Sequence, residues 1–98
     1  IKGTNVYPTA VEALLGEVEG LAPHYELHVA RERTGDALTV KVEAESGYPA
    51  DRHGALKLKA EQFLYERILV RIAVEIEPPG TLPRYELKAK RFFDHRQR

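Results

Sequence analysis

"HYELHVARERTGDALTVKVEAE", residues 24–45, is the stretch of sequence that decides the fold. Its first half alternates apolar and polar side chains, with Tyr25, Leu27 and Val29 on one side. Its second half alternates in the same way over residues 38–44. A period of two is typical of strands that pack one face against a core. Because the intervening RTGDA has turn chemistry, the stretch is predicted to form a β-hairpin.

Helical spacing flanks the hairpin on both sides. Residues 8–19 carry apolar side chains at i, i+3, i+4 and i+7, with Pro8 suited to the first helical position and Gly20 to a stop. Residues 52–68 return to helical spacing, and residues 70–77 then alternate as a third strand. The sequence therefore predicts two helices and three clear strands, in the order α, β, β, α, β.

These elements predict an α/β fold of the α+β type. We expect a two-layer sandwich in which two helices cover one face of a small, mostly antiparallel sheet of three to four strands. A fourth strand in the entry segment, residues 1–6, would bring the topology to βαββαβ. The 98 residues make up one domain's worth of chain. Because the chain has no methionine and opens on Ile1, we expect it to be a piece of a longer protein.

The charges of the chain are balanced, with 15 Lys and Arg against 15 Asp and Glu. Such a balance gives little reason to expect a nucleic acid or an anionic membrane as the main partner. No apolar run approaches the roughly 18 residues that a membrane span needs. A chain without cysteine has no disulfide framework and no zinc–thiolate site. We therefore expect a cytoplasmic protein with no nucleic-acid partner and no membrane partner.

The histidines do not predict a metal site. His24 and His28 lie on the first predicted strand, where four residues span about 13 Å, which is too far for two ligands of one ion. Both are interpreted as strand-surface side chains, and His53 and His95, in loop or terminal positions, are assigned no role. The only serine, Ser46, has no Gly-x-Ser-x-Gly context, and no Gly-x-Gly-x-x-Gly or P-loop sequence occurs. Any nucleotide pocket is therefore expected to lie mostly outside this chain.

The C-terminal stretch PPGTLPRYELKAKRFFDHR, residues 78–96, combines stiff turns with cations. Its prolines restrict φ and Gly80 permits a turn, so the loop can hold Lys88 at a defined place beyond the sheet edge. An ammonium group there is suited to stabilising carboxylate or phosphate oxygens. Residues 84–98 hold six Lys and Arg against two Asp and Glu. Composition alone favours the simpler interpretation, a basic and solvated terminus.

Two motifs stand at the ends of the chain, and they are informative together. A known family has the opening pattern Gly-x-Asn-Val-(Phe/Tyr)-Pro and the closing pattern Pro-Gly-x-(Leu/Ile)-x-Arg-x-x-(Gly)-Lys-Ala-x-Arg-x-x-Asp-x-Arg. The residues of this chain that match those patterns are Gly3, Asn5, Val6, Tyr7 and Pro8, and then Pro79, Gly80, Leu82, Arg84, Lys88, Ala89, Arg91, Asp94 and Arg96. Over essentially its whole length the chain resembles the C-terminal domain of the adenylate-forming ligases, specifically the phenylacetate-CoA ligase family.

The resemblance implies the mobile C-terminal domain of an acyl-CoA ligase, inactive as an isolated fragment. The intact enzyme would use ATP, Mg²⁺ and coenzyme A. It would convert a carboxylic acid, aromatic or similar, into an acyl-adenylate and transfer the acyl group to coenzyme A. The partner of this domain would be its own N-terminal adenylation domain, which would hold the ATP site. No cofactor is therefore expected on this domain alone.

The resemblance also implies roles for individual residues. Lys88 would be catalytic, in contact with carboxylate and phosphate oxygens during adenylation. Arg84 and Arg91 would support that loop or contact nearby phosphates. The loop on the coenzyme A side, which would face the pocket after the domain swings, would comprise Lys2, Gly3 and Asn5.

The chain departs from the family pattern at two positions, and two other functions stay open. Tyr85 and Leu87 stand where many members have Ser and Gly, so the path of the loop and the substrate class do not follow from the resemblance. One alternative is a non-catalytic, small-molecule-binding regulatory α/β module, which predicts that the isolated chain binds an effector. The other is an RNA-binding domain. It is disfavoured because no aromatic-rich strand motif with neighbouring basic residues is present.

Overall fold

The structure, a computed structural model, describes residues 6–32, 35–84 and 91–95. The elements in chain order are α1 (Pro8–Leu15), β1 (Leu21–Glu32), β2 (Gly35–Ala44), a short 3-10 helix (Ala50–Arg52), α2 (His53–Ile68), β3 (Ile72–Glu77) and β4 (Phe92–Asp94). The two predicted helices and the three predicted strands are thus confirmed, with ends that differ by a few residues.

β1 and β2 form the predicted antiparallel hairpin. Leu27 lies opposite Val40 and Val29 opposite Leu38. All four side chains are buried, on the face that the alternation predicts. This pattern specifies the register, because a slip by one residue would turn the whole apolar set toward the other face.

The sheet is mixed, with the strand order β3-β2-β1-β4. β3 runs parallel to β2, and β4 runs parallel to β1. The prediction of a mostly antiparallel sheet was therefore wrong, although the two-layer α/β class is confirmed. The β2–β3 ladder is parallel because α2 carries the chain back along the sheet before β3 begins, and parallel strands require such a crossover.

The fourth strand that the structure describes comes from the C-terminal end of the chain. β4 pairs with residues 27–29 along the outer edge of β1, and this strand was not predicted. Of the predicted entry strand, residues 1–5 lie outside the described residues, and Val6 is buried in the core. The βαββαβ topology therefore stays a prediction.

The core lies between the two helices and one face of the sheet. The buried helix side chains belong to the stripes that helical spacing predicts, and they join the apolar faces of the strands in one cluster. Phe63 and Ile68 pack at the margin of that cluster. Full burial of an aliphatic side chain contributes about 1.5–3 kcal/mol. The buried helix residues are Val11, Leu15, Leu56, Ala60 and Leu64.

α1 is shorter than the sequence predicts. It ends at Leu15, and residues 16–20 form turns in which Val18 is still buried against the core. Val18, the last apolar residue of the predicted helical stripe, thus reaches the core from a turn and not from the helix. Neither α1 nor any other helix in the described part of the chain is long and apolar enough to cross a membrane.

Gly20 joins these turns to β1 in a conformation that favours glycine. Its φ is +103°, and a Cβ added there would lie 2.7 Å from Tyr48 Cε1.

Gly20→Ala is therefore expected to lower the free energy of unfolding by about 1–3 kcal/mol, through backbone strain and the clash with the ring. Urea unfolding measures this change. Gly54→Ala in α2, where nothing lies within 4 Å of the new Cβ, is the control, and equal losses in both variants would contradict the prediction.

Candidate functional site

A buried carboxylate organises the proline loop (residues 78–84), which leads into the lysine segment (residues 85–90). Glu43 lies on β2 between Val42 and Ala44, whose side chains are in the core, so its own side chain points to the opposite face of the sheet. It is nevertheless only 1% exposed. Its hydrogen-bond donors come from residues 80–84. We call this arrangement the Glu43 cluster.

The Glu43 cluster uses both carboxylate oxygens. Oε1 accepts hydrogen bonds from the backbone N–H of Gly80 at 2.9 Å and from Arg84 Nη2 at 3.2 Å. Oε2 accepts hydrogen bonds from the backbone N–H of Leu82 at 2.8 Å and from Arg84 Nη1 at 2.7 Å. A bidentate contact of this kind is the strong geometry for an arginine–carboxylate pair. One side chain thus holds both the backbone of the proline loop and the arginine at its end.

The contacts of the cluster keep Glu43 ionised. Burial by itself raises the pKa of the Glu43 carboxyl, but the hydrogen bonds from Arg84, Gly80 and Leu82 outweigh it and lower the pKa to about 2. The hydrogen bond with the Glu43 carboxylate also raises the pKa of Arg84 above its ordinary value. Both partners therefore carry their charges at neutral pH.

The proline loop contains the turn that its sequence predicts. Thr81 donates from its backbone N–H and from its hydroxyl to the carbonyl of Pro78, at 3.2 and 2.6 Å. Gly80 has a φ of +82°, a value that favours glycine. Leu82 is buried, and its carbonyl accepts a hydrogen bond from Arg84 Nη1 at 3.0 Å. The loop therefore has its own hydrogen bonds in addition to those of the cluster.

A second anchor follows the lysine segment in the sequence. Arg91 Nη1 donates to Glu12 Oε2 of α1 at 3.1 Å, and the Arg91 guanidinium lies over the Tyr25 ring, 5.2 Å from its centroid. The Arg91 side chain is 16% exposed. The attachment continues past β4, where the His95 N–H donates to the Val29 carbonyl at 2.7 Å. The chain is thus bound to α1 and β1 just after the lysine segment.

The structure pairs each of the two predicted arginines with a glutamate. Arg84 pairs with Glu43, and Arg91 pairs with Glu12. These contacts are compatible with the predicted support of the loop, and the contact with phosphates stays a prediction. The remaining predicted site residues lie outside the described residues; they are Lys2, Gly3, Asn5 and Lys88.

A histidine cluster attaches β4 to β1. His28 Nε2 donates to Glu26 Oε1 at 2.9 Å, and His28 Nδ1 shares a hydrogen bond with His95 Nε2 at 2.8 Å. The His28 ring also stacks on Phe93, with ring centroids 4.7 Å apart. The interpretation of His28 as a surface side chain was therefore incomplete, and His95 has a structural contact that was not predicted. In the ranges described, no group of three or more His, Cys, Asp or Glu side chains is placed to hold a metal ion.

Sequence reasoning missed Glu43 and Glu12. Glu43 stands at a polar position of an alternating strand, where a solvated side chain is the ordinary expectation. The loop residues that bury it come 37 to 41 residues later, and the arginine that pairs with Glu12 comes 79 residues later. No local pattern therefore identifies either glutamate.

Comparisons with known proteins agree with this architecture. Residues 3–96 match the family described as AMP-binding enzyme C-terminal domain. The phenylacetate-coenzyme A ligase of Thermus thermophilus is 34% identical over 113 residues, which cover 99% of this chain and 25% of that protein. The chain thus spans about a quarter of the length of this curated relative.

Solved structures share the fold. A domain of phenylacetate-coenzyme A ligase from Bacteroides vulgatus has a TM-score of 0.84 at 29% identity, over 99% of this chain and 91% of that one. 2-Hydroxyisobutyryl-CoA ligase with 2-HIB-AMP and CoA in the thioesterification state has a TM-score of 0.89 at 27% identity, over 99% and 21% of the two chains. In the postadenylation state with 2-HIB-AMP, the same ligase has a TM-score of 0.81 at 27% identity, over 96% and 20%. The chain therefore belongs to the AMP-binding enzyme C-terminal domain family, as a C-terminal domain of the phenylacetate-CoA ligase type.

Proposed function

We propose that this domain is the mobile C-terminal part of an AMP-forming, ATP-dependent carboxylate–CoA ligase. The observation that carries the proposal is the pair of anchors around the lysine segment, the Glu43 cluster before it and the Arg91–Glu12 pair after it. The relatives of this chain are CoA ligases, and in the sequence the two anchors flank the segment that carries Lys88. The partner of the domain is the N-terminal adenylation domain of the same protein.

Lys88 acts in the first half of the proposed reaction. A carboxylate oxygen of the acid attacks the α-phosphorus of ATP, and the bond from that phosphorus to pyrophosphate breaks, which gives the acyl-adenylate. Both reactants are anionic, so a preorganised ammonium group offsets their repulsion as charge shifts in the transition state. Mg²⁺ and the adenine and acyl pockets belong to the large domain.

The loop with Lys2, Gly3 and Asn5 acts in the second half of the proposed reaction. The coenzyme A sulfur attacks the acyl carbon as a thiolate, its proton passing to solvent, and the bond to the AMP oxygen breaks. For this step the domain rotates, so that the loop with Lys2, Gly3 and Asn5 faces the path of the pantetheine chain. The postadenylation and thioesterification states of 2-hydroxyisobutyryl-CoA ligase support a domain that serves both steps.

The proposed substrate is an aromatic or similar carboxylic acid, in line with the relatives named phenylacetate-coenzyme A ligase. The 98-residue chain is proposed to be inactive and to bind no cofactor alone, because the large domain supplies the acyl and ATP sites. The protein is proposed to act in the cytoplasm, with no nucleic-acid or membrane partner.

Carboxylate-dependent exchange of labelled pyrophosphate into ATP tests the proposal in the full-length protein that carries this domain. We expect exchange with phenylacetate or a related acid, no exchange without an acid, and an acyl-CoA thioester with AMP once coenzyme A is added. The 98-residue chain alone is the control and is expected to catalyse no exchange. No exchange with any acid of an aromatic and aliphatic panel would contradict the proposal. Tight binding of a small effector or of RNA to the 98-residue chain would then favour a binding module.

A further inference from the structure

We propose that Glu43 is a positioning residue for Lys88 in the adenylation half-reaction. It acts by holding the proline loop, from which the lysine segment continues. The inference rests on the proposed function, because the position of Lys88 affects a rate only if Lys88 contacts the reactants. Glu43 itself does not touch substrate in this proposal.

The Glu43 cluster differs from an ordinary surface ion pair. The Glu43 side chain is 1% exposed and the Arg84 side chain is 51% exposed, so a buried group holds an exposed one. Two of the donors to Glu43 are backbone N–H groups of the proline loop itself. A pair of flexible surface side chains would leave the loop backbone free and contribute little. This carboxylate instead restrains the backbone directly.

Lys88 is close in sequence to both anchors. Lys88 comes four residues after Arg84 and three residues before Arg91. An extended chain spans at most about 3.6 Å per residue, so a connection of four residues reaches at most about 14 Å and one of three residues at most about 11 Å. Release of the proline loop would free Arg84, so that the short connection to Lys88 would no longer start from a fixed point of the domain. A displacement of about 1 Å at a reacting group can cost about 10²-fold in rate.

An ionised carboxylate is the group that suits all four donors of the cluster. A glutamine has a carbonyl oxygen on one side and an NH₂ group on the other. Its NH₂ group would face N–H donors of the loop or of Arg84, and no hydrogen bond would form there. An aspartate keeps the charge, but its carboxylate is one methylene shorter and is withdrawn from the loop. Glu43→Gln and Glu43→Asp therefore weaken the cluster in different ways without leaving a large cavity.

Glu43→Gln in the full-length protein tests the inference when the two half-reactions are measured separately. Pyrophosphate exchange is expected to fall at least about tenfold, mainly in kcat, because a displaced Lys88 stabilises the transition state less. Thioester formation from supplied acyl-adenylate is expected to stay within about twofold of the wild-type rate. Glu43→Asp is expected to give an intermediate loss of exchange. Unchanged exchange, or equal losses in both half-reactions, would overturn the inference.

Glu61 provides a matched control. It is a partly buried carboxylate of α2 that accepts hydrogen bonds from Lys57 Nζ and, at 2.9 Å, from the Val74 backbone N–H of β3. Burial raises the pKa of Glu61, but these two hydrogen bonds lower it overall, as in the Glu43 cluster. Glu61→Gln is expected to leave both half-reactions unchanged. A loss of exchange as large as that of Glu43→Gln would show that the effect is general to the fold and would overturn the inference.

Backbone NMR of the 98-residue chain separates failure of the inference from failure of the proposed function. In Glu43→Gln, the amide signals of Gly80 and Leu82 are expected to shift and to exchange faster with solvent, while Val74 keeps its protection. Unchanged Gly80 and Leu82 amides would overturn the inference whatever the activity. If the wild-type full-length protein catalyses no exchange, the proposed function fails, and the role of Glu43 toward Lys88 fails with it. If the wild type is active and the amides respond but exchange does not fall, the inference alone fails.

Discussion

Lys88→Ala in the full-length protein is expected to lower the rate of acyl-adenylate formation by about 10²- to 10³-fold, the loss typical of removing one preorganised charge-stabilising group. The physical reason is that this step joins two anions, and the ammonium group offsets their repulsion where charge shifts. Thioester formation from supplied acyl-adenylate is expected to keep most of its rate, because in the proposed mechanism this step uses the loop with Lys2, Gly3 and Asn5 and not Lys88. Rapid-quench measurement of labelled acyl-adenylate and of acyl-CoA separates the two steps.

Lys90→Ala is the control for this prediction. Lys90 belongs to the same lysine segment and carries the same charge, two residues farther along the chain. Its replacement removes the same net charge from the tail, and both half-reactions are expected to stay close to the wild-type rates. If Lys90→Ala matched Lys88→Ala, the effect would belong to the charge of the tail and not to one positioned lysine. Equal losses of both half-reactions in Lys88→Ala would contradict the division of labour between the two loops.

The stability of the domain is expected to fall in acid through Glu43. The pKa of this carboxyl is about 2 in the folded chain, against an ordinary value of 4.5. The difference corresponds to about 3 kcal/mol of folding free energy at neutral pH. Because the folded-state pKa is the lower one, the contribution is complete above pH 4.5 and is lost as the pH falls toward 2. Protonation of Glu43 would release the proline loop and Arg84 together.

Urea unfolding of the 98-residue chain at a series of pH values between 2 and 7 measures this effect. Glu43→Gln is expected to be less stable than the wild type at neutral pH and to lose less stability in acid, so that the two curves converge toward pH 2. Glu61→Gln, which removes another carboxyl with a lowered pKa, should keep the part of the acid loss that belongs to Glu43. Parallel curves for the wild type and Glu43→Gln would contradict the assignment.

The helices, the hairpin and β3 could be predicted because their signals are local. A period of two or of 3.6 reports which side of an element each residue faces, and Pro8 begins α1 where its restricted φ predicts. The observed ends of some elements differ from the predicted ends, because contacts with distant residues determine them. α1 stops at Leu15, and β1 begins at Leu21, three residues before the predicted start.

The candidate site could be predicted only in part. Residues 78–96 resemble a family motif, and this resemblance indicated Lys88 and the two arginines. It could be recognised because the residues of a motif are close together in the sequence. The partners of those arginines could not be read from the sequence. Glu43 and Glu12 look like ordinary solvated glutamates until the chain folds the proline loop and Arg91 onto them.

The sequence by itself determined the two helices, the three strands before the proline loop, the faces that they bury and the family motif around Lys88. The tertiary structure decided the parallel ladders, the attachment of β4 to β1 and the Glu43 cluster. The physical reason is that alternation states which side of a strand a residue faces but not what covers that side. A free strand edge and a buried carboxylate find their partners by closing loops of tens of residues, here 37 to 41 for Glu43, and no local pattern records that choice.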